Sequence, residues 1–167
     1  MRIAGILPIV FYAIHAAVHL HRGQPYDLLW GCHIAVLLVG FGWILRNPTL
    51  NAIGFLWSCV GLPLWILDVA TGGTFLPTST LTHVGAFAFG YIGVRKLGMP
   101  RYASIKALAS FVMLWTVCRV VTPPAANINL AVRVHDGWEP YFSSYALYFA
   151  MLLVIAAAIF SIVERAA

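Results

Sequence analysis

Charge is what this sequence has least of. Of 167 residues, 10 are Lys or Arg and 5 are Asp or Glu, so 9% carry charge. An ordinary soluble domain carries about 25%. A soluble fold of this length needs a polar skin, and so few charged side chains cannot make one. That excludes a disordered chain and a cytosolic enzyme. Cysteine is scarce too. Cys32, Cys59 and Cys118 all stand in apolar stretches, and their odd number speaks against a disulfide framework. Internal repeats and low-complexity tails are missing. So are the histidine-rich boxes of membrane di-iron oxygenases. No basic stripe interleaves with aromatics, so the net charge of +5 does not point to nucleic acid.

What is present is apolar. Hydrophobic residues make up 62% of the chain, and the mean hydropathy is +0.89. Six stretches are long and apolar enough to cross roughly 30 Å of hydrocarbon. They cover about residues 3–20, 26–45, 49–69, 80–94, 103–121 and 141–163. The runs are continuous rather than alternating, and backbone groups in lipid must bond internally, so helices are expected. The sequence thus predicts an all-α protein, a single bundle of six transmembrane helices over residues 1–167.

Breaks in the pattern agree. Arg22-Gly23-Gln24-Pro25 and Arg46-Asn47-Pro48 read as turns. Residues 71–77 hold two glycines and a proline, and 95–101 form a short basic loop. Pro123 and Pro124 end the fifth span, and residues 122–139 form the longest connection. Pro8 and Pro63 suggest kinks. The first span also has some likeness to a cleaved leader, with Arg2, an apolar run and Ala16-Ala17. Its removal would leave five spans and discard His15.

Six spans put both termini on one side. That side receives Arg2, Arg46, Arg95, Lys96, Arg101, Lys106 and Arg165, seven of the ten basic residues. The positive-inside rule makes it the cytoplasm, and in a bacterial cell the membrane would be the inner one. The other side receives all six histidines and four of the five acids. Ionisable groups within a membrane are expensive to place and point to function.

Several of these residues are candidates for chemistry. His15 and His19 stand four apart and share a helix face. They read as metal ligands or haem partners, or equally as interfacial histidines facing headgroups. Asp68 closes the third span, either as a functional group or as a wet helix end. His83 opens an otherwise apolar helix and needs a partner there. Cys118 and Arg119 end the fifth span. Cys32 lies below the outer surface with His33 beside it, which suits either a thiol nucleophile or a small buried cysteine. Cys59 reads as packing.

Span two reads Leu29-Trp30-Gly31-Cys32-His33-Ile34-Ala35. Asp68 and His83 follow, then Ala125-Ala126-Asn127-Ile128-Asn129-Leu130, then Trp138, Pro140 and Tyr141 before the last helix. Over residues 26–163 this resembles the YwaF-type bacterial membrane proteins and the related transmembrane cysteine acyltransferases that act on phospholipids. More distantly, it is similar to the androgen-induced-type intramembrane threonine hydrolases. The resemblance implies a lipid acyltransferase or hydrolase without a cofactor, with membrane lipid as its partner. It makes Cys32 the nucleophile, His83 the base and Asn127 the loop asparagine. Trp30 stands where the family has a histidine, and Ile128 where it has a tyrosine. In that mechanism Cys32 attacks a lipid ester and Asn127 or Arg119 steadies the oxyanion, while Asp68 or His33 orients the base. Two rival readings follow from the residues themselves. One is a haem- or divalent-metal-binding protein using His15 and His19. The other is a small transporter, channel or partner subunit with a polar path.

Overall fold

The computed structural model describes residues 2–167. The Arg2 side chain, counted with the basic residues above, lies outside the described part. Six helices form the chain: α1 Ile6–His21, α2 Gly31–Leu45, α3 Pro48–Ala70, α4 Pro77–Leu97, α5 Ala103–Val121 and α6 Tyr145–Ala166. The described residues contain no strand. Four of the apolar helical stretches are long enough to cross a membrane: Ile3–His21, Pro48–Ala70, Ala103–Val121 and Tyr145–Ala166. This is an all-helical integral membrane architecture.

The helix ends differ from the expected spans for local reasons. The second span was expected from residue 26, yet α2 begins at Gly31. Pro25–Leu29 forms a tight 3-10 turn instead, and Trp30, with φ −56° and ψ 137°, is extended and breaks the helix. The 15 residues of α2 span only about 22 Å at 1.5 Å each. Helix α4 starts earlier than expected because Pro77 suits the first helical position. Helix α6 starts after Ser144, whose side chain accepts from the Leu147 N–H. At the turn into α3, the Asn47 side chain accepts from the N–H groups of Thr49 and Leu50 at 2.9 and 3.1 Å. Pro8 lies in the first turn of α1, where no backbone bond is lost. Pro63 lies inside α3 and removes the donor to the Cys59 carbonyl.

Packing follows small residues. Ala35, Ala52, Ala103, Ala107 and Ala156 are buried with Leu56, Trp57 and Phe160. Small side chains let helices approach closely, which matters in lipid because apolar transfer gives no net drive between helices. Gly54 shows the limit: a Cβ there would lie 2.6 Å from the Ala35 carbonyl oxygen of α2. Indoles bind the bundle across helices. Trp57 Nε1 donates to the Ala107 carbonyl at 2.9 Å, and Trp43 Nε1 to the Phe89 carbonyl at 3.0 Å.

One end of the bundle gathers the chain start, the 46–47 and 98–102 turns and the chain end. Gly5 abuts Gly40 and Ile44, and Glu164 accepts from the Ser104 N–H at 2.8 Å. The opposite end carries the 3-10 turn 25–29, the 71–76 turn and the long 122–144 connection. Residues 51–58 of α3 are buried, whereas its second half is half-buried or exposed. The bundle is therefore tight at the first end and hollow at the second.

Replacing Gly54 with Val should strain the α2–α3 contact and cost about 1–3 kcal/mol. The thermal midpoint of the protein in detergent should fall. Val154→Ala, on the exposed face of α6, should leave it unchanged. Equal midpoints for the two variants would contradict the close approach.

Candidate functional site

The hollow end holds a cavity of about 800 Å³. Its walls come from α1, α2, α3, α4 and α6, and residues 130–138 of the long connection close its roof. At its floor three imidazoles meet. His15 and His19 lie one turn apart on α1, and the reversal at residues 22–30 brings His33 of α2 against them. His15 Nε2 is 2.9 Å from His33 Nε2 and 3.1 Å from His19 Nε2. The residues are 1%, 7% and 4% exposed, in the order His15, His19, His33. Ligand atoms of all three lie within 4.8 Å of one another.

The outer nitrogens decide what the inner ones offer. His33 Nδ1 faces the Asp27 carbonyl at 2.6 Å. A carbonyl only accepts, so Nδ1 donates and the neutral ring keeps a lone pair on Nε2. His19 Nδ1 stands 3.1 Å from Oδ2 of Asp27, near the carboxylate although not aligned as a hydrogen bond. A lone pair facing a carboxylate would be repelled, so the proton belongs on Nδ1 and Nε2 again carries a lone pair. His15 Nδ1 meets the Thr78 hydroxyl at 2.8 Å. Two lone pairs therefore face His15 Nε2, and at most one proton is available to all three nitrogens. A cation satisfies them together. Two nitrogens bound at about 2.0–2.1 Å to tetrahedral zinc stand about 3.3–3.4 Å apart. The two spacings to His15 Nε2 are near that, and slight spreading of the rings would reach it.

The outer partners resemble those that orient metal-binding histidines elsewhere, a carboxylate or carbonyl on the far nitrogen. Asp27 serves two rings at once, one through its backbone and one through its side chain. Three buried histidines could thus hold a metal ion. Neutral imidazoles suit zinc, copper, iron or nickel.

His83 stands behind the triad. Its ring is stacked on Trp65, 4.8 Å between centres and 13° from parallel. Its Nδ1 donates to the Ser79 carbonyl at 2.8 Å, which leaves Nε2 as an acceptor. The ring centre is 6.3 Å from that of His33. Cys32 also lines the cavity, across from Gly61 of α3. Asp68 lies at the mouth, with His135 Nε2 of the roof 3.9 Å from its carboxylate.

Two expected site residues are placed elsewhere. Asn127 Oδ1 accepts from the N–H groups of Val132 and Arg133, both at 3.1 Å, and its Nδ2 donates to the Arg133 carbonyl. Its side chain closes its own loop. Arg119 donates to the Ala131 carbonyl and lies over the rings of Trp115 and Tyr145, at 5.5 and 5.6 Å. Neither lines the large cavity.

Asn129, two residues on, ties the roof to the floor. Its Oδ1 accepts from the Gly31 N–H at 2.6 Å, and its Nδ2 donates to the Leu29 carbonyl at 2.8 Å. The same Nδ2 lies 3.2 Å from the Cys118 sulfur. Asn129 adopts φ 54°, the left-handed region that asparagine tolerates better than most residues. Nearby, the Arg133 guanidinium holds the Asp136 carboxyl below its ordinary range through a paired hydrogen bond.

The sequence pairs His15 with His19 but assigns His33 to Cys32. The third histidine of the cluster depends on the length of a reversal that periodicity does not measure. Asp27, Thr78 and Asn129 give no chemical signal of their own.

No family model matches the chain, and neither a curated protein nor a solved structure matches it. The likeness to the cysteine acyltransferases rests on the residues quoted for it.

Asn129→Ala should leave the Gly31 N–H and the Leu29 carbonyl without their side-chain partner, at about 1–3 kcal/mol. Hydrogen exchange in residues 122–144 should accelerate while α3 and α5 stay protected. Unchanged exchange in that segment would show that Asn129 does not hold the roof.

Proposed function

We propose that this chain is an integral membrane metal protein, with His15, His19 and His33 binding one divalent transition metal. The observation that carries the reading is the convergence of three buried Nε2 atoms, with the outer nitrogens of His33 and His15 bonded to the Asp27 carbonyl and the Thr78 hydroxyl and that of His19 beside the Asp27 carboxylate. Three neutral histidines resemble the ligand set of catalytic zinc, where a fourth position stays open for water or substrate. Here that position would face the cavity. The metal would lie in the cavity that Cys32 and His83 also line, so small molecules entering from the outer leaflet would meet it. Arg46, Arg95, Lys96, Arg101 and Arg165 gather at the tight end of the bundle. Their placement supports cytoplasmic termini and an inner-membrane setting in a bacterial cell.

Elemental analysis of the purified protein should find one equivalent of metal, zinc being the natural first candidate. His33→Ala should lose it. Asp27→Asn should keep the fold and weaken zinc binding about 10- to 100-fold, because the carboxylate orients His19. Full metal retention by His33→Ala would overturn the tripod.

A second reading has its own support. Cys32 and His83 line one cavity, as acyl transfer through a thioester would require. The thiolate would attack a lipid ester while His83 carries the proton. Cys32→Ala should then abolish labelling by an acyl-thioester probe and lipid turnover together. Undiminished turnover would remove this reading and leave the metal one standing.

A further inference from the structure

We infer that the metal centre is hydrolytic, with His83 as the proton carrier for a water at the open position and a neutral carboxylic ester as the substrate. The inference rests on the metal reading above. Three features of the site carry it.

The first is the state of His83. The Ser79 carbonyl takes the Nδ1 proton at 2.8 Å, so Nε2 is the basic nitrogen. Among the described residues no hydrogen-bond partner meets that nitrogen, and His83 lines the cavity. The second is its rigidity. The stack on Trp65 fixes the ring plane. A ring-centre separation of 6.3 Å from His33 keeps His83 outside the tripod yet beside it. The proton-carrier role puts a water on the metal within reach of Nε2, directly or through one more water, the range over which a base works.

The third is the lining of the cavity, which selects the substrate. Asp27, Asp68 and Asp136 line it, and Arg22 is its one cationic side chain among the described residues. Arg133 offsets Asp136 from outside. With a divalent metal in place the net charge repels no anion, but no Arg or Lys cluster converges there to clamp a phosphoryl group. Leu64, Leu67, Trp65 and Trp138 give the walls an apolar character that suits an apolar acyl or alkyl body.

The step balances without an oxidant or reductant. Water gives one proton to His83 Nε2 while its oxygen bonds to the carbonyl carbon. The carbonyl electron pair moves onto oxygen, beside the metal. It returns as the bond to the leaving oxygen breaks, and His83 passes the proton to that oxygen. Ester and water become acid and alcohol.

The test uses the full chain, purified in detergent micelles and loaded with zinc. The neutral ester probe is p-nitrophenyl butyrate, and p-nitrophenyl phosphate is the anionic comparison. The zinc protein should hydrolyse the ester and leave the phosphate untouched. His83→Gln should keep one zinc and lose about 100-fold or more in ester rate. His83→Ala with added imidazole should recover part of that rate, which a merely structural role would not allow. A His83→Gln variant that keeps its rate would overturn the role of His83. One that loses zinc would make His83 a ligand and overturn it equally. A wild-type protein that holds zinc but cleaves no ester would overturn the hydrolytic inference and spare the metal centre. Faster cleavage of the phosphate would overturn the substrate class. A wild-type protein that holds no zinc would remove the metal reading, and this inference with it.

Discussion

His33 donates its Nδ1 proton to the carbonyl of Asp27, and that bond decides which way its other nitrogen faces. The same residue places its carboxylate beside His19. A short 3-10 segment therefore orients two imidazoles, those of His33 and His19, while Thr78 meets the third, that of His15. The turn exists because Pro25 starts it and the extended Trp30 ends it. A longer first hairpin, or a helix running straight through residues 26–30, would carry His33 away from α1. The short α2 belongs to the site as much as its histidine does, because residues 26–30 are spent on orientation rather than on crossing the bilayer.

Two kinds of packing coexist in this bundle. At the tight end, alanines and glycines bring backbones together and indoles bridge them. At the hollow end, α3 passes from fully buried residues to a face that is partly open, and the polar groups of the chain collect in the space it leaves. Water-excluding neighbours make that arrangement consequential. An imidazole lone pair at a wet surface is satisfied by solvent, whereas one buried among two others is not. Burial thus turns an ordinary cluster of histidines into a demand for a counter-ligand.

The helical class was legible in composition alone, because a chain with so little charge and such long apolar runs has few other folds open to it. The helix count followed from proline, glycine and arginine between the runs. Boundaries were less legible where the chain chose a 3-10 turn over a helix, since Tyr26 to Leu29 are as apolar as their neighbours apart from Asp27. At the site, the i, i+4 spacing of His15 and His19 was visible, and so was the gathering of polar residues at one end. The membership of His33 was not, because it rests on a reversal in space. Asn127 and Asn129 illustrate the same limit. Both stand in one polar segment, and only the path of the loop assigns one to its own turn and the other to the floor of the cavity.

Asn129 joins the roof to the segment that leads into His33, although nearly a hundred residues of chain separate them. All three triad histidines lie within the first 33 residues. During synthesis the first hairpin can therefore assemble its imidazoles long before the roof emerges. The cavity is then still open above them. When the last loop and α6 follow, Asn129 closes over a floor that is already furnished. In this protein the order of the chain is also an order of assembly, with the histidine cluster formed first and the roof closed over it afterwards.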